Sequence, residues 1–259
     1  MPLLFWIILF SLLGGIISVI AAAVFLLFPD RIRTALLPHF VSFAVGALLG
    51  AAFLALIPDA LSQTNVIDSH QLGLTLLIGL LGFFLMEKLV LWRHCHEHGC
   101  EVHEIHESHQ QHAAGTLILI GDGVHNLVDG ILIAAAFMTD FHLGVITSMA
   151  VAAHEIPQEV GDFAILLHSG YSRKKAFIFN ILASVTTIIG AVVAYYSLSS
   201  AEEIVPYILA LAASSFIYIA VADLIPGLHK RVEFSQTLRQ ITLITAGILV
   251  IYFAHATLH

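Results

Sequence analysis

The chain has 259 residues, of which 59% are hydrophobic and only 11% are charged, and its mean hydropathy is +0.94. A soluble domain needs a surface with far more charge, and the apolar runs here are about twenty residues long, enough to cross a ~30 Å hydrocarbon core. The composition therefore predicts an all-α polytopic membrane protein and excludes both a soluble fold and a barrel of alternating strands. The formal net charge of −8 argues against a nucleic-acid partner.

Eight apolar segments lie between helix-breaking residues and predict eight transmembrane helices. In chain order they cover residues 3–28, 36–58, 72–92, 114–138, 143–168, 175–198, 204–227 and 239–257. We expect a single transmembrane domain over residues 1–259. The first apolar run is expected to be a span rather than a cleaved signal peptide, because it is too long and no basic residue precedes it.

The basic residues predict the orientation of these spans. All ten Lys and Arg fall on alternate connections, and therefore on one side of the membrane. They are Arg31, Arg33, Lys88, Arg93, Arg173, Lys174, Lys175, Lys230, Arg231 and Arg239. The positive-inside rule makes that side cytoplasmic, so both termini are expected to face the outside.

A short sequence echo relates the second and seventh predicted spans. Both end in Leu-Ile-Pro next to an aspartate, at residues 56–58 and 224–226. With eight spans these two helices run in opposite directions, which is the pattern of an inverted-topology repeat.

Spans four and five break the apolar pattern with nine polar residues near their middles. These are Asp122, His125, Asn126 and Asp129, followed by His154, Glu155, Gln158, Glu159 and Asp162. Each ionised carboxylate at the bilayer centre costs ~2.5–3.5 kcal/mol, and neither span contains a Lys or Arg that could neutralise it. Protons or a metal cation are therefore expected to supply the positive charge.

The spacing of these residues favours a metal ion. Residues four apart share one helix face, so His125 lies beside Asp129 and Glu155 lies beside Glu159. Imidazole nitrogen combined with carboxylate oxygen suits Zn²⁺, Fe²⁺, Mn²⁺ or Cd²⁺ better than Ca²⁺ or Mg²⁺, which prefer oxygen alone. The alternative is a buried polar network that only ties two helices together.

Two stretches carry a resemblance to a known family. Residues 125–130 (HNLVDG) and 154–162 (HEIPQEVGD) resemble the ZIP (Zrt/Irt-like) family of divalent metal transporters, in the branch with an H-E-x-P-(H/Q)-E-x-G-D signature. The resemblance implies eight helices in a 3+2+3 arrangement with an inverted repeat. It also implies that spans one, four, five and six slide against spans two, three, seven and eight.

The resemblance further implies a binuclear metal centre between spans four and five. One ion would use His125, Asp129, His154 and position 158, and a second would use Asn126, Asp129, Glu155 and Glu159. Position 158 is Gln where His is usual, and Gln offers one neutral oxygen. The candidate metal ligands are His125, Asn126, Asp129, His154, Glu155, Gln158, Glu159, Asp162 and Asp223, the last matching an acidic position near the cytoplasmic exit.

A histidine-rich cytoplasmic loop is predicted at residues 93–113. It contains His94, His96, His98, His103, His106, His109 and His112, together with Cys95 and Cys100. Thiols stay reduced in the cytoplasm, so this composition indicates soft metal ligands rather than a disulfide. We expect the loop to receive or sense metal that leaves the pore; the alternative is a polar linker with incidental histidines.

The sequence therefore predicts a transporter, not an enzyme, that moves divalent transition-metal ions towards the cytoplasm. Zinc is the first expectation, with Fe²⁺, Mn²⁺ and Cd²⁺ as alternatives, and no prosthetic group is expected. The expected partners are these ions and the lipid bilayer, with a homodimer as the candidate oligomer and the cell (inner) membrane as the location. The alternatives are an intramembrane zinc-dependent hydrolase, for which Gln158 replaces the second histidine of H-E-x-x-H, and a proton-coupled carrier of organic solutes.

Overall fold

The computed structural model describes residues 2–62, 67–96, 107–230 and 233–258. Within these ranges the chain forms long helices joined by short connections. In chain order they are α1 (Leu3–Phe25), α2 (Asp30–Ser62), α3 (Ser69–His96), α4 (Glu107–Thr139), α5 (Phe141–His168), α6 (Arg173–Leu198), α7 (Val205–Leu228) and α8 (Phe234–Leu258).

Each of these helices coincides with one predicted span, but most extend beyond it. Helix α2 begins at Asp30 instead of residue 36, so that Pro38 lies inside the helix rather than near its end. The extra turn carries Asp30 and Arg33, which form an ion pair at the surface. A helix continues for as long as its backbone bonds are satisfied, whereas the apolar run ends at the edge of the hydrocarbon.

The protein is a multi-pass membrane protein. Seven helical stretches in the described residues are long and apolar enough to cross a bilayer: Leu3–Phe25, Asp30–Ser62, Ser69–Met86, Ile118–Thr139, Arg173–Leu198, Val205–Leu228 and Phe234–Ala256. Helix α5 is not among them, although its 28 residues exceed the length required. Its polar residues, from His154 to Asp162, lower its hydropathy.

The helices pack as two groups. Helices α1, α4, α5 and α6 contact one another, while α2 contacts α7 and α8, and α3 contacts α7. Contacts between the groups include those of α5 with α2 and α8, and of α4 with α7 and α3. Polar helix α5 is therefore enclosed by its neighbours on several sides.

Glycines bring two helix pairs into backbone contact. A Cβ atom on Gly130 of α4 would overlap the Thr187 carbonyl of α6, and one on Gly190 of α6 would overlap the Leu127 carbonyl of α4. In the same way, a Cβ atom on Gly46 of α2 would overlap a carbonyl of α8, and one on Gly247 of α8 would overlap a carbonyl of α2. Small residues permit this close approach, which is how helices associate when lipid removes the hydrophobic driving force.

Wider π-helical turns interrupt three of the helices, at Leu13–Ile17, Ala52–Leu56 and Ile219–Leu224. The second and third end immediately before Ile-Pro, at Pro58 and Pro226. Because proline has no N–H to bond the carbonyl four residues earlier, the helix adjusts locally before it. The two Leu-Ile-Pro segments therefore share a local conformation as well as a sequence.

Both ends of the predicted histidine-rich loop are helical in the structure. Helix α3 continues to His96 and α4 begins at Glu107, so both ends of the range 93–113 are helical. The remaining residues, 97–106, lie outside the described residues, and with them lie His98, Cys100, His103 and His106. The metal-sensing role of the loop therefore stays a prediction.

Candidate metal centre

A tight hairpin places the polar parts of α4 and α5 side by side. Asp140 alone separates the two helices, and its carboxylate accepts hydrogen bonds from the backbone N–H groups of His142 (2.8 Å) and Leu143 (3.1 Å), which caps α5. His125 lies 15 residues before Asp140 and His154 lies 14 residues after it. Both histidines are therefore at nearly the same distance from the turn, and they meet across the interface.

Four side chains from the two helices form a compact cluster, hereafter the tetrad: His125, Asp129, His154 and Glu155. The His125 Nε2 atom lies 3.3 Å from both His154 Nε2 and Glu155 Oε1. It lies 3.7 Å from Asp129 Oδ2, and His154 Nε2 lies 3.3 Å from that oxygen and 3.6 Å from Glu155 Oε1. A tetrahedral ion with bonds of 2.0–2.2 Å requires ligand atoms about 3.3–3.6 Å apart, and four of these five distances fall in that range.

The tetrad is buried, and the backbone orients one of its histidines. Asp129, His154 and Glu155 are fully buried, and His125 is 9% exposed. The His154 Nδ1 atom lies 3.0 Å from the Ala150 carbonyl oxygen, so donation to that oxygen leaves the Nε2 lone pair directed at the other members of the tetrad. The ring of Phe216, from α7, packs edge-on against His154 with 6.0 Å between centroids.

The carboxylates of the tetrad have no lysine or arginine partner within their own helices. Neither α4 nor α5 contains a Lys or Arg. Among the described residues, no donor forms a hydrogen bond to either carboxylate oxygen of Asp129 or Glu155. Buried charges are normally paired or bound to a metal, and the convergence of two carboxylates with two imidazoles therefore fits a divalent cation.

Three carboxylates form a second group beside the tetrad, hereafter the carboxylate triad: Asp122, Glu155 and Glu159. One oxygen from each lies within 4.8 Å of the others, and all three residues are buried. Glu155 belongs to both groups. Asp122 is absent from the ligands predicted from the sequence, although it lies one turn before Asn126 on the same face of α4.

Helix α6 contributes polar side chains that the sequence analysis missed. The Thr187 hydroxyl donates to Asn126 Oδ1 (2.7 Å), and the Ser184 hydroxyl lies 3.4 Å from Glu159 Oε1. Asn180, Ser184 and Thr187 are all fully buried. Their i, i+4, i+7 spacing in an apolar helix is the signal that would have identified them as one polar face.

The other predicted ligands lie at or beyond the edges of these two groups. Asn126 is buried, and its side-chain N–H donates to Asp122 Oδ1 (2.8 Å). Gln158 and Asp162 are half-buried on the following turns of α5, and Asp223 is exposed in the π-helical turn of α7. Neither cluster of His and acidic residues found among the described residues includes Asp162 or Asp223. The ligand roles of these four residues stay predictions.

Comparison with known proteins adds an independent observation. A family model described as "ZIP Zinc transporter" matches residues 93–255, more than half of the chain. The chain is 32% identical over 226 residues to zinc transporter ZIP13 of Pongo abelii (83% of this chain, 65% of that protein). It is 30% identical over 263 residues to zinc transporter ZIP13 of Homo sapiens (83% and 69%) and 41% identical over 114 residues to zinc transporter ZIP4 of Homo sapiens (44% and 18%). The chain thus spans about two thirds of the length of these ZIP13 relatives.

Proposed function

Since the chain belongs to the ZIP zinc transporter family, we propose that it carries zinc across a membrane and that the ion binds at the tetrad between α4 and α5. Zinc is placed ahead of Fe²⁺, Mn²⁺ and Cd²⁺ because the relatives are named as zinc transporters. The activity is transport without catalytic turnover, and the ion is cargo rather than a prosthetic group.

The observation that carries this proposal is the tetrad itself. Two imidazole nitrogens and two carboxylate oxygens lie 3.3–3.7 Å apart along the measured pairs, in the interior of the helix bundle. No cysteine contributes to this cluster. A mixed nitrogen and oxygen shell binds zinc without the strength of a thiolate site, which suits a protein that has to release its ion.

The proposed topology has eight spans, including α5, in the 3+2+3 arrangement with an inverted repeat. The shared π-helical turns before Pro58 and Pro226 support the repeat. The packing of α1, α4, α5 and α6 as one group supports their movement as a unit against α2, α3, α7 and α8. Under the positive-inside rule both termini lie outside, and transport runs towards the cytoplasm of a cell bounded by this membrane.

Three further assignments belong to this proposal. Residues 1–259 act as a single transmembrane domain, and two copies associate as a homodimer in the bilayer. The histidine-rich loop receives the ion on the cytoplasmic side, because it precedes α4, the helix that carries His125 and Asp129.

Uptake by proteoliposomes tests the proposal. The full chain is reconstituted and uptake of radioactive zinc, iron, manganese and cadmium is compared, with and without a pH gradient. We expect zinc uptake by the wild type, and its loss in His125→Ala, Asp129→Ala and His154→Ala with the protein still incorporated. His168→Ala is the matched control, because this exposed histidine lies on α5. Uptake close to that of the wild type in all three tetrad variants would place the pathway elsewhere.

The same assay separates the proposal from the hydrolase alternative. A zinc-dependent hydrolase would bind zinc and move none into the vesicles. The relatives described above are transporters, and Gln158 stands in place of the second histidine of H-E-x-x-H, so the hydrolase receives no support from either source.

A further inference from the structure

We propose that a groove between α1, α2, α5 and α8 binds an anionic phospholipid of the cytoplasmic leaflet, with an acyl chain inside the groove and the phosphate beside Arg239. The choice of leaflet rests on the topology of the proposed function, whereas lipid binding itself does not require zinc transport.

The groove is an apolar cavity of about 670 Å³. Its walls come from all four helices, through Phe25 of α1, Phe40 of α2, Pro157 of α5 and Leu243 of α8. This volume lies within the ~300–1,000 Å³ of ordinary ligand sites. Phe28 and Phe40 line the groove and are exposed at the surface of the bundle, so the groove opens towards the hydrocarbon of the bilayer. An acyl chain is therefore the occupant that fits its surface.

The groove has a polar end and an apolar end. Among the described residues that line it, His39 has the one polar side chain. The His39 Nδ1 atom lies 2.7 Å from the Ala35 carbonyl oxygen, so the ring leans towards the start of α2, the cytoplasmic end in the proposed topology. His39 lies nine residues from that end, whereas Ala153 lies 15 residues from the cytoplasmic end of α5. An amphipathic ligand therefore fits with its head near His39 and its tail towards the middle of the bilayer.

Arg239 lies at the polar end of the groove. It shares one face of α8 with Leu243, which lines the groove, and with Gly247, which lies against the Phe43 carbonyl of α2. The contacts between α2 and α8 advance along both helices in the same direction. The residues eight positions before Phe43 and Gly247 are Ala35 and Arg239. Arg239 is therefore at the depth of the carbonyl that orients the histidine ring.

The charge of Arg239 is available to a ligand. This residue is exposed, and it forms no ion pair with any other described residue. A guanidinium binds phosphate oxygens in a bidentate geometry, and basic pockets between membrane helices bind the anionic headgroups of the cytoplasmic leaflet. A zwitterionic lipid offers the same tail, but its ammonium group offsets the charge of its phosphate. The charge at the groove therefore selects an anionic phospholipid.

The groove lies between the two packing groups of the bundle. Helices α1 and α5 belong to one group and α2 and α8 to the other, so an acyl chain in the groove contacts both. Displacement of one group against the other changes the shape of the groove, and a ligand that binds one arrangement better shifts the equilibrium towards that arrangement. Under the proposed function, zinc transport should therefore depend on the lipid.

Native mass spectrometry of the purified full-length protein tests lipid binding. The delipidated protein in detergent receives equal amounts of dioleoylphosphatidylglycerol, which is anionic, and dioleoylphosphatidylcholine, which is zwitterionic and has the same acyl chains. We expect the wild type to prefer the anionic lipid by about fivefold, the factor for one basic residue beside an anionic headgroup. Arg239→Gln should lose this preference, and Arg239→Lys should keep it.

Lys88→Gln is the control for charge. It removes a positive charge from the same side of the membrane, but Lys88 lies on α3, which does not line the groove. The preference for the anionic lipid should therefore be that of the wild type.

Two equally exposed valines provide a matched pair that tests the position of the acyl chain. Val24 lines the groove and is 52% exposed, and Val193 lies outside it on α6 and is 55% exposed. Val24→Trp should lose binding of both lipids because the indole fills the groove, whereas Val193→Trp should bind them as the wild type does. Thermal unfolding midpoints close to that of the wild type show that both variants are folded.

Four outcomes of the binding experiment would overturn the inference. They are equal binding of the two lipids by the wild type, an undiminished preference in Arg239→Gln, an equal loss of preference in Lys88→Gln, and unchanged lipid binding in a folded Val24→Trp. The third would reduce the preference to a general attraction of anionic lipid to the basic side of the protein.

Zinc uptake separates this inference from the proposed function. Uptake by the wild type should differ between proteoliposomes of phosphatidylcholine alone and those that also contain phosphatidylglycerol, and the difference should vanish in Arg239→Gln. Zinc uptake that is the same in both kinds of vesicle would refute the effect of the lipid on transport. Lipid binding as expected, in a protein that moves no zinc in either, would refute the proposed function alone.

Discussion

Among the predicted ligands, Gln158 is the one that differs from the residue usual in the ZIP branch that the chain resembles. It lies one turn after His154 on α5, half-buried, between the tetrad residues and Asp162. The ZIP branch that the chain resembles usually has histidine here. A neutral amide oxygen is a weaker ligand for zinc than an imidazole nitrogen, so the residue at this position is expected to tune affinity.

We predict that Gln158→His shifts the metal preference towards zinc. An added imidazole should raise zinc affinity by about tenfold, or ~1.4 kcal/mol, with a smaller gain for Mn²⁺. Competition between the two ions in the uptake assay measures the shift. An unchanged preference and affinity would show that position 158 does not contact the ion.

The four residues of the tetrad could be predicted from the sequence. The residues packed around them could be predicted only in part. The proximity of His125 to Asp129 follows from their spacing of four residues along a helix. The mixture of imidazole and carboxylate ligands indicates a transition metal. The pairing of Asp122 with Glu155 and Glu159 depends on the angle at which two helices meet, which spacing along one helix does not contain. Thr187 was missed because a hydroxyl in an apolar helix ordinarily bonds its own backbone.

At the scale of the element, the seam between α4 and α6 is the most constrained contact near the site. Gly130 and Gly190 place each helix against a carbonyl of the other. The glycines in the sequence indicate close packing somewhere in the bundle, but they do not identify which helix fills the gap. The apolar runs predicted the positions of the helices. The polar turns at the helix ends, such as the one at Asp30, could not be predicted from hydropathy.

We predict opposite effects for two glycine-to-alanine changes. Gly130→Ala should destabilise the protein by about 1–3 kcal/mol, because the added Cβ would overlap the Thr187 carbonyl. Gly82→Ala on α3 has nothing within 4 Å of the added atom, so the reduced backbone entropy of the unfolded chain should stabilise it by about 0.4–1 kcal/mol.

Thermal unfolding in detergent checks both variants against the wild type. The midpoint should fall for Gly130→Ala and rise for Gly82→Ala. Equal midpoints for the two variants would contradict the backbone contact between α4 and α6.

At the scale of the whole molecule, the distribution of charge organises the fold. The basic residues lie in or beside alternate connections between the helices, and the polar residues of the tetrad lie inside the bundle. The number of spans depends on α5, whose polar residues keep it below the hydropathy of a typical span. Hydropathy alone therefore does not identify α5 as a span, although α5 carries two of the four tetrad residues.

Single cysteines on either side of α5, one in its first turn and one at the start of α6, test whether α5 crosses the membrane. In a background that lacks Cys95 and Cys100, His142→Cys should react with an impermeant maleimide in intact cells. Lys174→Cys should react only after permeabilisation, because the basic connection is expected inside. Labelling of both positions from the same side would remove α5 from the spans and reverse the orientation of the helices on one side of it.

The close contact of α4 and α6 at Gly130 and Gly190 also limits how the protein can move. Two helices that touch through their backbones cannot shear by part of a turn without driving a carbonyl into a Cα atom. Thr187 on α6 and the tetrad residues on α4 are therefore locked in register, and α5 is tethered to α4 by a one-residue turn. In the proposed transport cycle we therefore expect α4, α5 and α6 to move as one body, along the flank of α5 that packs against α2.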